Sequence, residues 1–175
     1  MVYGTKPIAP NRYRENLGRD YEDFEVGDVY EHRPGRTLLQ ADNAWFTLLT
    51  MNTHPVHFDV HHASQTEFGK PLMNSTLTLA VITGMSVSDT SQRAIANLGW
   101  DRVRLLAPVF EGDTLYAESE VLTKRLSKSR PGQGIVTIET TGFNQNDAAV
   151  ITFERSFLIA QGNHATVSRA SKSRR

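Results

Sequence analysis

No cysteine occurs anywhere in the 175 residues, which excludes disulfides, thiolate metal sites and a cysteine nucleophile. That absence fits a reducing compartment. Net charge is missing too. The 19 lysines and arginines are balanced by 19 aspartates and glutamates, so no strong field steers the chain toward nucleic acid or anionic lipid. No apolar run approaches the roughly 20 residues needed to span a bilayer. The N-terminus carries Lys6, Arg12, Arg14 and Arg19 but lacks the apolar stretch of a secretory signal. The expectation is a cytoplasmic protein with no nucleic-acid or membrane partner. A serine-hydrolase elbow, G-x-S-x-G, is absent. Gly132-Gln133-Gly134 opens a strand and lacks the third glycine of a dinucleotide loop. There is no internal repeat and no low-complexity segment.

What is present suffices for one domain. Hydrophobic residues make up 39% of the chain, enough for one core and too many for a disordered polymer. Residues 1–20 are polar and unpatterned, with Pro7 and Pro10, and read as an arm. A domain is expected over 21–160, and 161–175 reads as a polar, basic, disordered tail. The domain has a helical half and a β half. Asp42 can cap a helix presenting Trp45, Phe46, Leu48 and Leu49, and Pro55 ends it. A short helix or turn follows near 60–66. The run NSTLTLAVITGMSV, capped by Asn74 or Ser75, predicts a buried helix from about Ser75. Strands are predicted over 101–106, 115–122, 134–143 and 150–159, with turns at 111–113, 129–132 and 144–147. An antiparallel meander with one buried helix on its concave face makes the fold α+β.

Four of the six histidines cluster in 52–62, NTHPVHFDVHH. A zinc reading would join His57 and His61 to His54 or Asp59. Pro55 breaks the helix that this spacing needs, and no glutamate sits between the histidines, so no metal is expected. The alternative is acid–base chemistry. A histidine just after a helix-ending proline lies on an irregular, solvent-reachable edge, where an imidazole base is useful. His57 is the candidate base, with Asn52 able to hold a water; His61 and His62 read as surface residues. The helix start at Asn74, Ser75 and Thr76 presents backbone N–H groups suited to a developing oxyanion, beside their ordinary capping role. Lys124, Arg125, Lys128 and Arg130 flank a loop, a solvated face or a place for the phosphates of an acyl carrier.

These residues, in the order YEDFEVGDVY, RTLLQAD, NTHPVHFD, FGKP, the Asn74 helix and APVFEGDTLYAESEV, resemble the MaoC-like (R)-specific enoyl-CoA hydratases and dehydratases. The resemblance runs from about Tyr21 to Ile159. It implies a single hot-dog domain, a curved antiparallel sheet wrapped around a central helix. It also implies an acyl-CoA or acyl-carrier thioester substrate, no cofactor, and a homodimer or higher homo-oligomer. The family pattern G-D-x-N-P-x-H-x-D pairs an aspartate with a histidine; here the histidine is His57 and Asn52 stands at the aspartate position. Where the helix start usually carries histidine and glycine, this chain has Asn74 and Ser75. Both departures resemble the branch that includes mesaconyl-CoA hydratase. An amide cannot take a proton at neutral pH, so His57 works alone or with Asp42, Asp59 or His54. A second carboxylate on the substrate would call for an arginine, with Arg102, Arg104 and Arg130 as candidates. A thioesterase and a non-catalytic acyl-CoA-binding protein are the competing readings.

Overall fold

A computed structural model describes residues 4–162. The chain begins with a hairpin, β1 (Gly4–Ala9) and β2 (Arg12–Asn16), which turns at Asn11 with φ of 57°, a left-handed conformation that asparagine tolerates. Where the sequence suggested an unpatterned arm, there is thus a small separate sheet. Arg93 ties its end to the body by donating to the Leu17 carbonyl, the Asn16 carboxamide and the Asp20 carboxylate. The expected tail lies, from residue 163 on, outside the described residues.

Strand β3 (Val29–Thr37) was not anticipated. Pro34 interrupts its alternation, and proline removes a ladder donor, which an edge strand tolerates. The strand is indeed at an edge, and its register with its neighbour shifts between His32 and Arg36. Helix α1 (Gln40–Thr50) follows, but not as expected. Leu39 is its N-cap; Asp42 sits one turn in, where its carboxylate accepts from the Leu39 N–H and pairs with Arg36 at 2.7 Å. Its buried residues are Asn43 and Thr47, whereas Trp45, Leu48 and Leu49 are 68, 73 and 79% exposed. Of the predicted apolar face, Phe46 packs against the core. The helix ends four residues before Pro55, at Met51 with φ of 56°. Pro55 instead opens a short turn, Pro55–His57, a position where its missing N–H costs nothing.

Helix α2 (Val60–Ser64) is capped by Asp59, and α3 (Ser75–Ser86) by Asn74. A wide turn, Val87–Ser91, carries α3 into β4 (Ala94–Leu105). This strand is longer than the predicted 101–106 because three register irregularities, one at left-handed Arg102, hide its alternation. The expected meander is formed by β5 (Thr114–Leu126), β6 (Gln133–Phe143) and β7 (Ala149–Ala160). The antiparallel sheet has the order β3-β5-β6-β7-β4.

Helix α3 buries Leu77, Thr78, Ile82 and Ser86 against that sheet. Gly142 lets it come close: a side chain there would meet Ile82 and Ile151 within 2.9 Å. One apolar cluster gathers Leu38, Met73, Ile82, Leu115, Ile151 and Phe153; a second gathers Phe24, Val121, Val136, Ile138, Phe157 and Ile159. Each large side chain so buried contributes about 1.5–3 kcal/mol. No helix among the described residues is long and apolar enough to cross a membrane.

Candidate functional site

The loop between α1 and α2 is held by one buried carboxamide that the sequence reading missed. Asn43, fully buried, donates through Nδ2 to the carbonyls of His57 (2.7 Å) and Leu72 (3.0 Å), and its Oδ1 accepts from the Asn74 N–H at 2.9 Å. One side chain therefore joins the His57 turn, the approach to α3 and the first residue of its cap. Asn43 follows Asp42 and shares its helix face with Gln40 and Thr47, so no local pattern marked it as buried. Gln40 adds a second donor to the His57 carbonyl at 2.9 Å.

His57 is oriented at its ring as well. Its Nδ1 lies 2.8 Å from the Leu72 carbonyl. A carbonyl only accepts, so Nδ1 carries the proton and Nε2, when the ring is neutral, keeps its lone pair. The backbone of His57 and Leu72 is in turn fixed by Asn43, and Leu72 N–H donates to the Val56 carbonyl at 3.0 Å. The other candidates for proton transfer are differently placed. Asp59 accepts from the His62 N–H as a helix cap, and Asp42 is engaged with Arg36 and Leu39. His54 is the one whose ring adjoins His57, with centroids 5.9 Å apart, and its Nδ1 accepts from the Val56 N–H.

Asn52 sits in the same loop. Its Oδ1 accepts from the His54 N–H at 3.1 Å, and its N–H2 donates to no group among the described residues. It also borders an apolar hollow of about 430 Å³ lined by Ala44, Leu48, Met51 and Phe58. Leu72 and Ser75 border another, of about 290 Å³, with Leu106, Val109 and Val150. Both suit a hydrocarbon rather than a charged group.

The start of α3 divides its free donors. The first four N–H groups of a helix have no partner within it. Here Asn74 N–H is taken by Asn43, and Thr76 N–H by the Asn74 Oδ1 at 2.9 Å, with the Thr76 hydroxyl on the same oxygen. The N–H groups of Ser75 and Leu77 have no partner among the described residues. The Ser75–Thr76 pair of the sequence reading thus reduces, at the amide level, to Ser75.

Arg130 lies in the turn joining β5 to β6, whereas the loop of His57 follows the opposite end of β3 and β5, near Thr37 and Thr114. One chain does not bring Arg130 and His57 together. Arg102 pairs with Glu154 at 2.6 Å on the outer surface, and Arg104 is exposed on the same edge strand. Among the described residues no group of three or more histidine, aspartate or glutamate side chains is arranged to hold a metal.

The chain is similar to several known proteins. A family described as mesaconyl-CoA hydratase matches residues 10–173. A mesaconyl-CoA hydratase of Cereibacter sphaeroides is 30% identical over 152 residues, covering 87% of this chain and 44% of that protein. The chain thus spans less than half the length of that relative. An (R)-specific enoyl-CoA hydratase of Aeromonas caviae is 29% identical over 133 residues, covering 76% of this chain and 93% of the other. A Mycobacterium tuberculosis protein whose structure is described as a double hot-dog fold superposes with a TM-score of 0.78 at 26% identity, over 86% of this chain and 47% of that one.

Proposed function

The chain belongs to the MaoC-like proteins, in the family described as mesaconyl-CoA hydratase, and from that premise we propose that it adds water to, or removes it from, an enoyl- or 3-hydroxyacyl-CoA thioester. The hot-dog domain over 21–160 is the working unit. The observation that carries the reading is the Nδ1–H of His57 held by the Leu72 carbonyl, which presents Nε2 as a base.

In the hydration direction, His57 Nε2 takes a proton from water as its oxygen attacks C3 of the enoyl thioester. Electron density moves through the double bond to the thioester oxygen. The N–H of Ser75 at the positive end of α3 stabilises that charge, where a fixed donor contributes most in the transition state. His57 then returns the proton to C2. Asn52, its own oxygen engaged, donates to the water or to a substrate oxygen. The apolar hollows beside Asn52 and Ser75 take the acyl chain. Asn74 acts by fixing the helix start and Thr76 by completing its cap. Arg130 would reach CoA phosphates only on a second copy. Such a copy fits the edge strand β4, which exposes Ile95, Leu98, Trp100 and Leu105 and has one unpaired side, so we propose a homo-oligomer. A cytoplasmic location fits a CoA substrate.

Purified protein given crotonyl-CoA and mesaconyl-CoA, with enoyl absorbance and thiol release followed together, tests the reading. Absorbance loss without thiol is the expected result. Thiol release would make it a thioesterase, and binding without either change a non-catalytic protein. His57→Ala should lower the rate about 10²–10⁴-fold; a full rate in that variant would overturn the mechanism.

A further inference from the structure

The His57 loop carries a second imidazole whose protonation is set by the backbone, in the opposite sense. The Leu72 carbonyl only accepts, so His57 Nδ1 bears the proton and Nε2 a lone pair. The Val56 N–H only donates, and it meets His54 Nδ1 at 3.2 Å. Nδ1 of His54 therefore bears the lone pair, the ring is neutral, and its one proton sits on Nε2. The loop thus presents one imidazole acceptor and one imidazole donor, with ring centroids 5.9 Å apart.

His54 is held on several sides. Its own N–H donates to Asn52 Oδ1 at 3.1 Å, and Pro55 follows it. Across from His57 its ring meets that of His62 edge-on, with centroids 6.4 Å apart. In His54 as in His57, Nδ1 is spent on the main chain, and Nε2 of neither ring has a hydrogen-bond partner among the described residues. His54 is exposed and His57 half-buried, so both are reachable from solvent. Rings at this separation leave room for one oxygen atom about 2.8 Å from each Nε2. Capping the turn needs only an acceptor, which asparagine, aspartate or serine supplies as well. An Nε2–H beside the base is what histidine adds.

We infer that His54 is a catalytic hydrogen-bond donor, holding between itself and His57 the oxygen that is added to or lost from C3. The inference rests on the hydratase reading for its reaction. A water has two protons and two lone pairs. One proton goes to His57 Nε2, one lone pair forms the bond to C3, and the other accepts from His54 Nε2–H. The Asn52 carboxamide is then left for a substrate oxygen. In both directions the oxygen is hydroxide-like in the transition state, and a fixed donor stabilises that charge more than it stabilises bound water. His54 gives up no proton, since a neutral ring that did so would become an imidazolate. Proton transfer stays with His57, and His54 orients and polarises.

One arm of the test needs no turnover. Proton–nitrogen correlation spectra of the isotope-labelled full chain at about pH 8, above the usual histidine range, show which ring nitrogen carries the proton. Signals lost in His54→Asn should be of the Nε2–H form and those lost in His57→Ala of the Nδ1–H form; an Nδ1–H form of His54 would overturn the inference. Asparagine keeps an acceptor for the Val56 N–H but places nothing at Nε2, so His54→Asn separates donor from cap. It should keep the wild-type Tm while kcat for crotonyl-CoA falls about 10- to 100-fold with little change in KM. Binding of 3-hydroxybutyryl-CoA should weaken about tenfold, and that of butyryl-CoA, which lacks the oxygen, should not. His54→Gln, which offers an N–H2 near the place of Nε2, should be faster than His54→Asn. Wild-type kcat in His54→Asn, equal loss of affinity for both thioesters, or a His54→Gln no faster than His54→Asn would each overturn it. If the wild type hydrates nothing while the affinity difference holds, the hydratase reading fails and His54 remains the donor to the hydroxyl. If hydration is normal and His54→Asn changes nothing, that reading stands and this inference falls. Should His54→Asn not fold, the wild-type spectra and the affinities of His54→Ala for the two thioesters decide.

Discussion

Replacing Asn43 by alanine tests how the site is held. Three hydrogen bonds disappear, to His57, Leu72 and Asn74. They are not equivalent. The His57 carbonyl keeps Gln40, and the Leu72 carbonyl keeps His57 Nδ1–H, so each of those losses costs about 1 kcal/mol. The N–H of Asn74, itself 2% exposed, is left buried and unpaired, at about 1–3 kcal/mol. The total is about 3–5 kcal/mol, a fall in Tm of about 10 °C for a chain of this size. The same change loosens the carbonyl that orients His57, and a displacement of an ångström can cost about a hundredfold in rate. Calorimetry and steady-state kinetics on Asn43→Ala should show both effects, with kcat falling more than KM rises. Asn43→Asp keeps an acceptor for Asn74 but cannot donate to the two carbonyls, so it should lose kcat as well. Wild-type kcat in a folded Asn43→Asp would refute the positioning argument, and an unchanged Tm in Asn43→Ala would refute the energetic one.

Three further outcomes are expected. Burial lowers the His32 pKa from 6.5 to about 4, with Arg155 and Arg33 adding to the effect against Asp89. The unfolded chain then binds a proton below pH 6.5 that the native chain refuses, so this part of the stability is intact above pH 6.5. It is lost progressively as pH falls toward 4, by about 3 kcal/mol at the bottom of that window. Urea unfolding at pH 7 and pH 4.5 should show His32→Phe gaining on the wild type at the lower pH; an equal difference at both would contradict the assignment. Asn52→Asp keeps an oxygen for the His54 N–H but removes the donor, so hydration should slow about tenfold or more; a faster enzyme would mean that this position transfers a proton. A Cβ at Gly134 would clash with the Tyr21 ring, so Gly134→Ala should lose about 1–3 kcal/mol by chemical denaturation. Tyr21→Ala in that background should recover part of it, and no recovery would point to another cause.

Much of this was legible from local pattern. Alternation marked β5, β6 and β7, because a strand facing a core on one side repeats every two residues. The Asn74 cap marked the start of α3, because a helix must satisfy its first N–H groups locally. The P-x-H-x-D order singled out His57. Other features depended on partners distant in sequence. Trp45, Leu48 and Leu49 looked like the buried face of α1, yet Asn43 and Thr47 are buried instead; only the fold supplies the His57 and Leu72 carbonyls that satisfy Asn43, 14 and 29 residues away. The tautomer of His57 likewise depends on Leu72. Arg130 was attractive as one of several neighbouring cations, but strand direction places it at the far end of the sheet. The sequence by itself determined α3, the β5–β7 meander and the family, and it made His57 the candidate base, since these follow from neighbours along the chain. Which polar groups are buried, and against what, was decided by tertiary structure, since desolvation and hydrogen bonding depend on residues brought together from different strands and helices.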